Sequence, residues 1–270
     1  MAKKKNLKGI SQEEIDIITN KMNCSFTDKK NTYTMMSNAL NYKIVIKCKN
    51  EKQKEYVKAM KNEEKEICFG LGSPGTGKTY LSLATALQLL KDEKMPYKSI
   101  VVFIPCLESV TALKMGFLKG NLDDKTEIYK QNTFNNIIKI LESSGNINAK
   151  EITTTLINQN MIRFEFINFV KGKTFENCIC VMEEAEDYTK EDMLLLLTRK
   201  GGKSCKMFIS GDDKQTSRND IKNKKQITGL RFAANVLNGM KEVSSTEFFP
   251  EDIIRDPLLI EIIKRFEENN

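Results

Sequence analysis

The amino-acid sequence predicts an α/β protein in which a mostly parallel sheet is sandwiched by helices. Three observations lead there. Short apolar runs (Ile67-Cys68-Phe69, Ser99 to Ile104, Arg163 to Val170, Cys178 to Met182, Lys206 to Ser210) recur along the chain and alternate with stretches of helical periodicity. Several of these runs are continuous rather than alternating, as expected of strands buried on both faces of a parallel sheet. Polar clusters follow directly after the runs, at the strand ends where open α/β sheets place their ligands.

Composition narrows the class. A chain of 270 residues, 29 % charged and 40 % hydrophobic, can hold one large α/β domain or two small ones with ample core. No apolar run approaches the roughly 18 residues of a membrane helix, and MAKKKNLKG carries no apolar stretch behind its lysines. A cytoplasmic protein without a membrane partner is therefore expected. There is no histidine, which excludes triads and zinc sites built on it; acid–base work falls to carboxylates or lysines. Seven cysteines (24, 48, 68, 106, 178, 180 and 205) lack C-x-x-C spacing and mostly lie in apolar runs, so they read as reduced core thiols rather than disulfides or zinc ligands. The net charge of +7 suits a nucleic-acid partner and a plain lysine-rich surface equally.

In chain order, residues 1–42 form an N-terminal extension that opens with a basic tail and a short helix after Ser11. The alternation of Lys43 to Lys49 predicts an edge strand, and Asn50 to Met60 an amphipathic helix. The Ile67 run enters Gly72-Ser73-Pro74-Gly75-Thr76-Gly77-Lys78-Thr79, and Leu83, Ala84, Leu87 and Leu90 then keep helical spacing. Residues 105–160 are a long polar excursion between strands, with Gly116 to Gly120 and a helical stretch near Phe134 to Leu141. A leucine-rich helix at Met193 to Leu197, a helix near Gly229 to Leu237, a short strand near Phe248 and a helix from Pro257 to Phe266 complete the list.

The glycine segment has the G-x-x-x-x-G-K-T pattern between strand and helix. Its glycines allow the backbone to wrap a phosphate, Lys78 can reach the β/γ-phosphates, and Thr79 offers a hydroxyl to Mg²⁺. Gly77 opens a helix whose amides and dipole favour an anion. This is the phosphate-binding loop of a P-loop NTPase. Glu183-Glu184, directly after an apolar strand, suits one carboxylate that holds Mg²⁺ and one that orients or deprotonates water. Gly211-Asp212-x-x-Gln215 brings an amide that can sense the γ-phosphate, while a Gly-Asp turn is common in itself. Arg255, beside Asp256-Pro257, suits an arginine finger or a surface ion pair at a helix start.

Taken together, Gln53, GSPGTGKTYL, GFLKG, KGKTFEN, EEAED, LTRKGGKSCKMFISGDDKQ and DIIRDPL follow the order and spacing of the PhoH-like ATPases. The chain resembles that family over roughly residues 43 to 268, taken here as the ATPase domain 43–270. The family is similar to the motor core of superfamily 1 helicases and assembles as rings, often hexamers. The resemblance implies ATP as nucleotide, contacted at adenine by Gln53 and held by the loop from Gly72 through Ser73, Pro74, Gly75, Thr76, Gly77, Lys78 and Thr79 to Tyr80. It implies Mg²⁺ on Thr79 and Glu183, water activation by Glu184, γ-phosphate sensing by Gln215 and an arginine role for Arg255. The chain departs from the family pattern where Ile104-Pro105 replaces Arg-Pro, Lys119 replaces Pro, and Glu183-Glu184-Ala185-Glu186-Asp187 replaces Asp-Glu-Ala-Gln-Asn.

The functional expectation is Mg-dependent ATP hydrolysis coupled to RNA or single-stranded DNA by a homo-oligomer. About 55 residues after Gln215 are too few for a second motor domain, so unwinding by a monomer is not expected. The alternative, favoured by Glu183 and by the missing arginine at 104, is an ATP-dependent switch or assembly factor that acts on a protein partner with slow hydrolysis. A small-molecule kinase shares the glycine loop, but the G-D-x-x-Q segment argues against it.

Overall fold

The computed structural model describes residues 40–104, 122–213, 227–254 and 257–268 of the chain. Helix α1 (Glu51–Lys61) is capped by Asn50, whose side chain accepts the Gln53 N–H. Strand β1 (Ile67–Gly72), helix α2 (Lys78–Lys91) and strand β2 (Ser99–Ile104) follow. Helices α3 (Leu122–Ser143) and α4 (Ala149–Asn158) then lead to strands β3 (Ile162–Phe166) and β4 (Cys178–Met182). Helix α5 (Lys190–Leu197), strand β5 (Cys205–Gly211), helix α6 (Gly229–Val236), strand β6 (Val243–Phe248) and helix α7 (Pro257–Glu268) complete the order.

The six strands form one sheet in the order β3-β2-β4-β5-β1-β6. Every pairing is parallel, as the continuous apolar runs predict. Because side chains alternate along a strand, β4 sends Cys178, Cys180 and Met182 to one face and Ile179 and Val181 to the other. The first set joins a core with Phe69, Phe103, Met193, Leu196 and Leu230, so α5 and α6 cover that face. Helix α2 lies on the opposite side, packed against β2, β4 and β5 and flanked by α1 and α3. It is buried nearly all round, from Leu81 to Leu90. The expected sandwich of a parallel sheet between helices is the observed fold.

Three local expectations change. Lys43 to Lys49 pairs with no strand among the described residues. Its backbone is satisfied by side chains of the α3–α4 turn instead: Asn146 Oδ1 accepts from Lys43 N–H, Asn146 Nδ2 donates to the Lys43 carbonyl, and Ser144 Oγ accepts from Val45 N–H. Tyr42 anchors the segment through a 2.9 Å hydrogen bond to the Leu87 carbonyl. The run from Arg163 to Val170 is a shorter strand, because a 3₁₀ turn begins at Ile167. The helix expected near Phe134 spans Leu122–Ser143, and α4, which the sequence reading left within the excursion, follows it. The helix after Ser11, the Gly116 to Gly120 motif, Gln215 and Arg255 lie outside the described residues.

Candidate functional site

The glycine loop joins the carboxyl end of β1 to α2, and its shape follows from crowding at that end. Gly72 has φ +107°, and a Cβ there would stand 1.9 Å from the Phe248 carbonyl oxygen of β6. That oxygen accepts the Ser73 N–H at 3.3 Å. Only glycine tolerates both the left-handed backbone and the contact. Gly75 and Gly77 also have positive φ, and Gly77, as N-cap of α2, places no side chain over the helix start. Among the described residues, the N–H groups of Gly75, Thr76, Gly77, Lys78 and Thr79 find no acceptor in the chain, while the neighbouring Ser73 and Leu81 N–H groups do. A cradle of unpaired amides at a helix N-terminus suits a phosphate.

Lys78 is 8 % exposed, and its ammonium donates to the carbonyls of Gly72 and Ser73 at 2.6 and 2.7 Å. Burial pulls its pKa down, and the charges of Asp212, Glu186, Glu184 and Asp213 push it back up. Thr76 closes the loop from inside, its hydroxyl donating to the Ser73 carbonyl. Gln53 reaches the same loop from α1: Nε2 donates to the Thr76 carbonyl at 2.7 Å, and Oε1 accepts the Lys49 N–H at 2.7 Å. Each amide end of Gln53 is thus engaged within the chain, and the side chain is buried. Pro74 and Thr79 are half-buried on the loop, and Tyr80 meets Ser143 of α3 through a 2.8 Å hydrogen bond between hydroxyls.

Strand β4 delivers the acidic pair two strands away from β1 in the sheet, with β5 between them. Glu183 has a buried Oε1 with no hydrogen-bond partner. Burial and the neighbouring Glu184 raise its carboxyl to about 8. An orphaned carboxylate oxygen beside a phosphate cradle fits a Mg²⁺ ligand, because a cation would supply the missing partner. Glu184 is exposed and sits at φ +50°, an uncommon and strained value for a residue with a Cβ.

Two connections were missed by the sequence reading. Glu186 appears there only as a departure from the family pattern. In the fold it is 5 % exposed, and its Oε2 accepts the Asp212 N–H at 3.1 Å, tying the β4 end to the β5 end. Burial and Glu184 raise its carboxyl to about 9. Arg231 of α6 grips Asp213 with Nε and an Nη at 2.8 and 3.0 Å and reaches Glu247 of β6 at 2.8 Å. No local pattern marks Arg231, since its partners are 18 and 16 residues away. The chain after β6 returns to the loop as well: Ile254 N–H donates to the Gly75 carbonyl, and Asn50 Nδ2 to the Asp252 carbonyl.

The fold places the glycine loop, Gln53, Glu183 and Glu184 at the carboxyl end of the sheet. Fold and loop define the class, a P-loop NTPase. The chain belongs to the PhoH-like protein family, which it matches over residues 45–267. It is similar to the PhoH-like protein of Bacillus subtilis, 32 % identical over 225 residues, covering 83 % of this chain and 65 % of that one. The PhoH-like protein of Mycobacterium leprae is 28 % identical over 83 % of this chain and 59 % of its own. Protein PhoH of Escherichia coli is 28 % identical over 79 % and 56 %. The chain therefore spans less than two thirds of the length of these relatives.

Proposed function

We propose that this chain binds Mg-ATP at the carboxyl ends of β1, β4 and β5 and hydrolyses it, coupling the cycle to RNA or single-stranded DNA as a ring-shaped homo-oligomer in the cytoplasm. Residues 1–42 are then an extension to an ATPase domain at 43–270. The observation that carries the reading is the unpaired amide cradle of Gly75 to Thr79, with the buried Lys78 ammonium held on the Gly72 and Ser73 carbonyls at its base. Binding draws the Lys78 ammonium from the Gly72 and Ser73 carbonyls toward phosphate oxygens, a stronger charge-assisted partner. Thr79 and Glu183 would hold Mg²⁺, which would neutralise phosphate charge. Glu184 orients the attacking water and takes its proton. Gln215 and Arg255 are assigned to the γ-phosphate and to transition-state charge, Arg255 from a neighbouring subunit.

The test is the ATPase rate with and without poly(U) or single-stranded DNA, across a range of protein concentrations. A rate that rises with nucleic acid and with concentration supports the proposal; a folded chain that neither binds nor hydrolyses ATP refutes it. Mixing Arg255→Ala chains with Glu184→Gln chains should recover activity if the arginine acts between subunits. One observation favours a second reading, a slow ATP-dependent switch acting on a protein partner. Burial and the neighbouring Glu184 favour the protonated form of Glu183, which must lose its proton before it can ligate Mg²⁺. Tight Mg-ATP binding with slow turnover indifferent to nucleic acid would select that reading.

A further inference from the structure

Three thiols far apart in sequence meet at the end of the sheet opposite the glycine loop. Strand alternation puts Cys178 and Cys180 on one face of β4, and the parallel register sets Cys205, the first residue of β5, against Cys178. The Sγ atoms are 3.9 Å apart for Cys178 and Cys180 and 3.7 Å apart for Cys180 and Cys205. All three lie within 4.8 Å of one another. They are fully buried, in a core shared with Phe103, Phe175, Met193 and Leu196.

Spacing and surroundings both suit a metal ion. Metal–thiolate bonds of about 2.3 Å in a trigonal plane separate the sulfurs by about 4 Å, close to the distances between these thiols. No carboxylate joins the three among the described residues, so the donor set is sulfur alone, which selects soft ions over Mg²⁺ or Ca²⁺. Zinc prefers a fourth ligand, and among the described residues no fourth His, Cys, Asp or Glu joins the three, which are shielded from bulk water. The positive charges of Arg163 and Lys200 act on Cys178 and Cys205 respectively.

We propose that Cys178, Cys180 and Cys205 form a trigonal thiolate site for copper(I), a soft d¹⁰ ion stable in three-coordinate sulfur. Loading exchanges protons for metal: three thiols and one Cu⁺ give a complex of net charge −2 and three released protons. The ion ties the amino end of β4 to that of β5. The turn at Gly201–Ser204 leads into β5 and is held by the Gly201 N–H bond to the Phe175 carbonyl at 2.8 Å.

The experiment is an anaerobic titration of the reduced full-length chain with Cu(I) in competition with bathocuproine disulfonate, followed by X-ray absorption at the copper edge. The expected result is one ion per chain on three sulfurs, with affinity reduced on the order of 10²-fold or more in Cys180→Ala or Cys205→Ala and unchanged in Cys68→Ala. Copper held no more tightly than by the triple alanine variant at 178, 180 and 205, or bound by two sulfurs, would overturn the proposal. A site that instead takes Zn²⁺ with a nitrogen or oxygen ligand overturns the assignment to copper. Should the variants fail to fold, the unaltered chain decides. Cu(I) must raise its melting temperature and protect these three cysteines together from alkylation in partial denaturant, and alkylation without that selective protection refutes the site.

Discussion

Glu183 makes the stability of the ligand-free protein depend on pH in a direction opposite to that of most surface carboxylates. Its carboxyl is raised from 4.5 to about 8 by burial and by Glu184. Between those values the folded chain keeps a proton that the unfolded chain releases, so stability is fully present below about pH 4.5 and is lost as pH rises through about 8. Each pKa unit of separation is worth about 1.4 kcal/mol, which sets a ceiling near 5 kcal/mol. Relaxation and water entry at this partly exposed strand end reduce the expected loss to about 2 kcal/mol. The assay is urea unfolding followed by circular dichroism at several pH values, since the chain has no tryptophan for fluorescence. Glu183→Gln should flatten the slope between pH 5 and 8, leaving the remainder that Glu186, raised to about 9, contributes. Saturating Mg-ATP should oppose the slope, because metal binding requires the ionised carboxylate. A variant with the parental pH dependence, or a parental stability that climbs from pH 5 to 8, would refute the reasoning.

Lys78→Ala should leave the fold intact and weaken ATP binding about 10–100-fold, the worth of a charge-assisted hydrogen bond, as read by calorimetric titration. Glu184→Gln should keep Mg-ATP affinity while turnover falls by about 10²-fold or more, whereas Glu183→Asp should hold or raise the single-turnover rate. Gly211→Ala would push a Cβ to 2.1 Å from Glu186 Oε2 and 2.9 Å from the Ala185 nitrogen, so a loss of about 2–4 kcal/mol is expected in urea unfolding. Gly145→Ala is its control: nothing lies within 4 Å of the added atom there, and only the left-handed backbone resists, at about 1–2 kcal/mol.

Much of the site was legible because each of its parts is local. The loop from Gly72 to Thr79 carries its chemistry in consecutive residues, and Glu183-Glu184 is recognisable from the apolar run before it. Gln53 was visible only through the family resemblance, since nothing around it announces a contact 23 residues away with the Thr76 carbonyl. The edge strand expected at Lys43 to Lys49 does not form, because Asn146 and Ser144 take the Lys43 N–H and carbonyl and the Val45 N–H. Such competition is settled between segments some hundred residues apart.

The sequence by itself determined the parallel α/β class, the phosphate loop and the acidic strand end, because periodicity and short motifs express the local geometry of one strand, one turn or one helix. Tertiary structure alone decided which strands became neighbours. Placing β5 between β4 and β1 let Glu186 hold the Asp212 amide, and α6 carried Arg231 to Asp213. The same register gathered Cys178, Cys180 and Cys205. Those meetings depend on burying the apolar faces of the whole chain at once, a condition that no short stretch of residues contains.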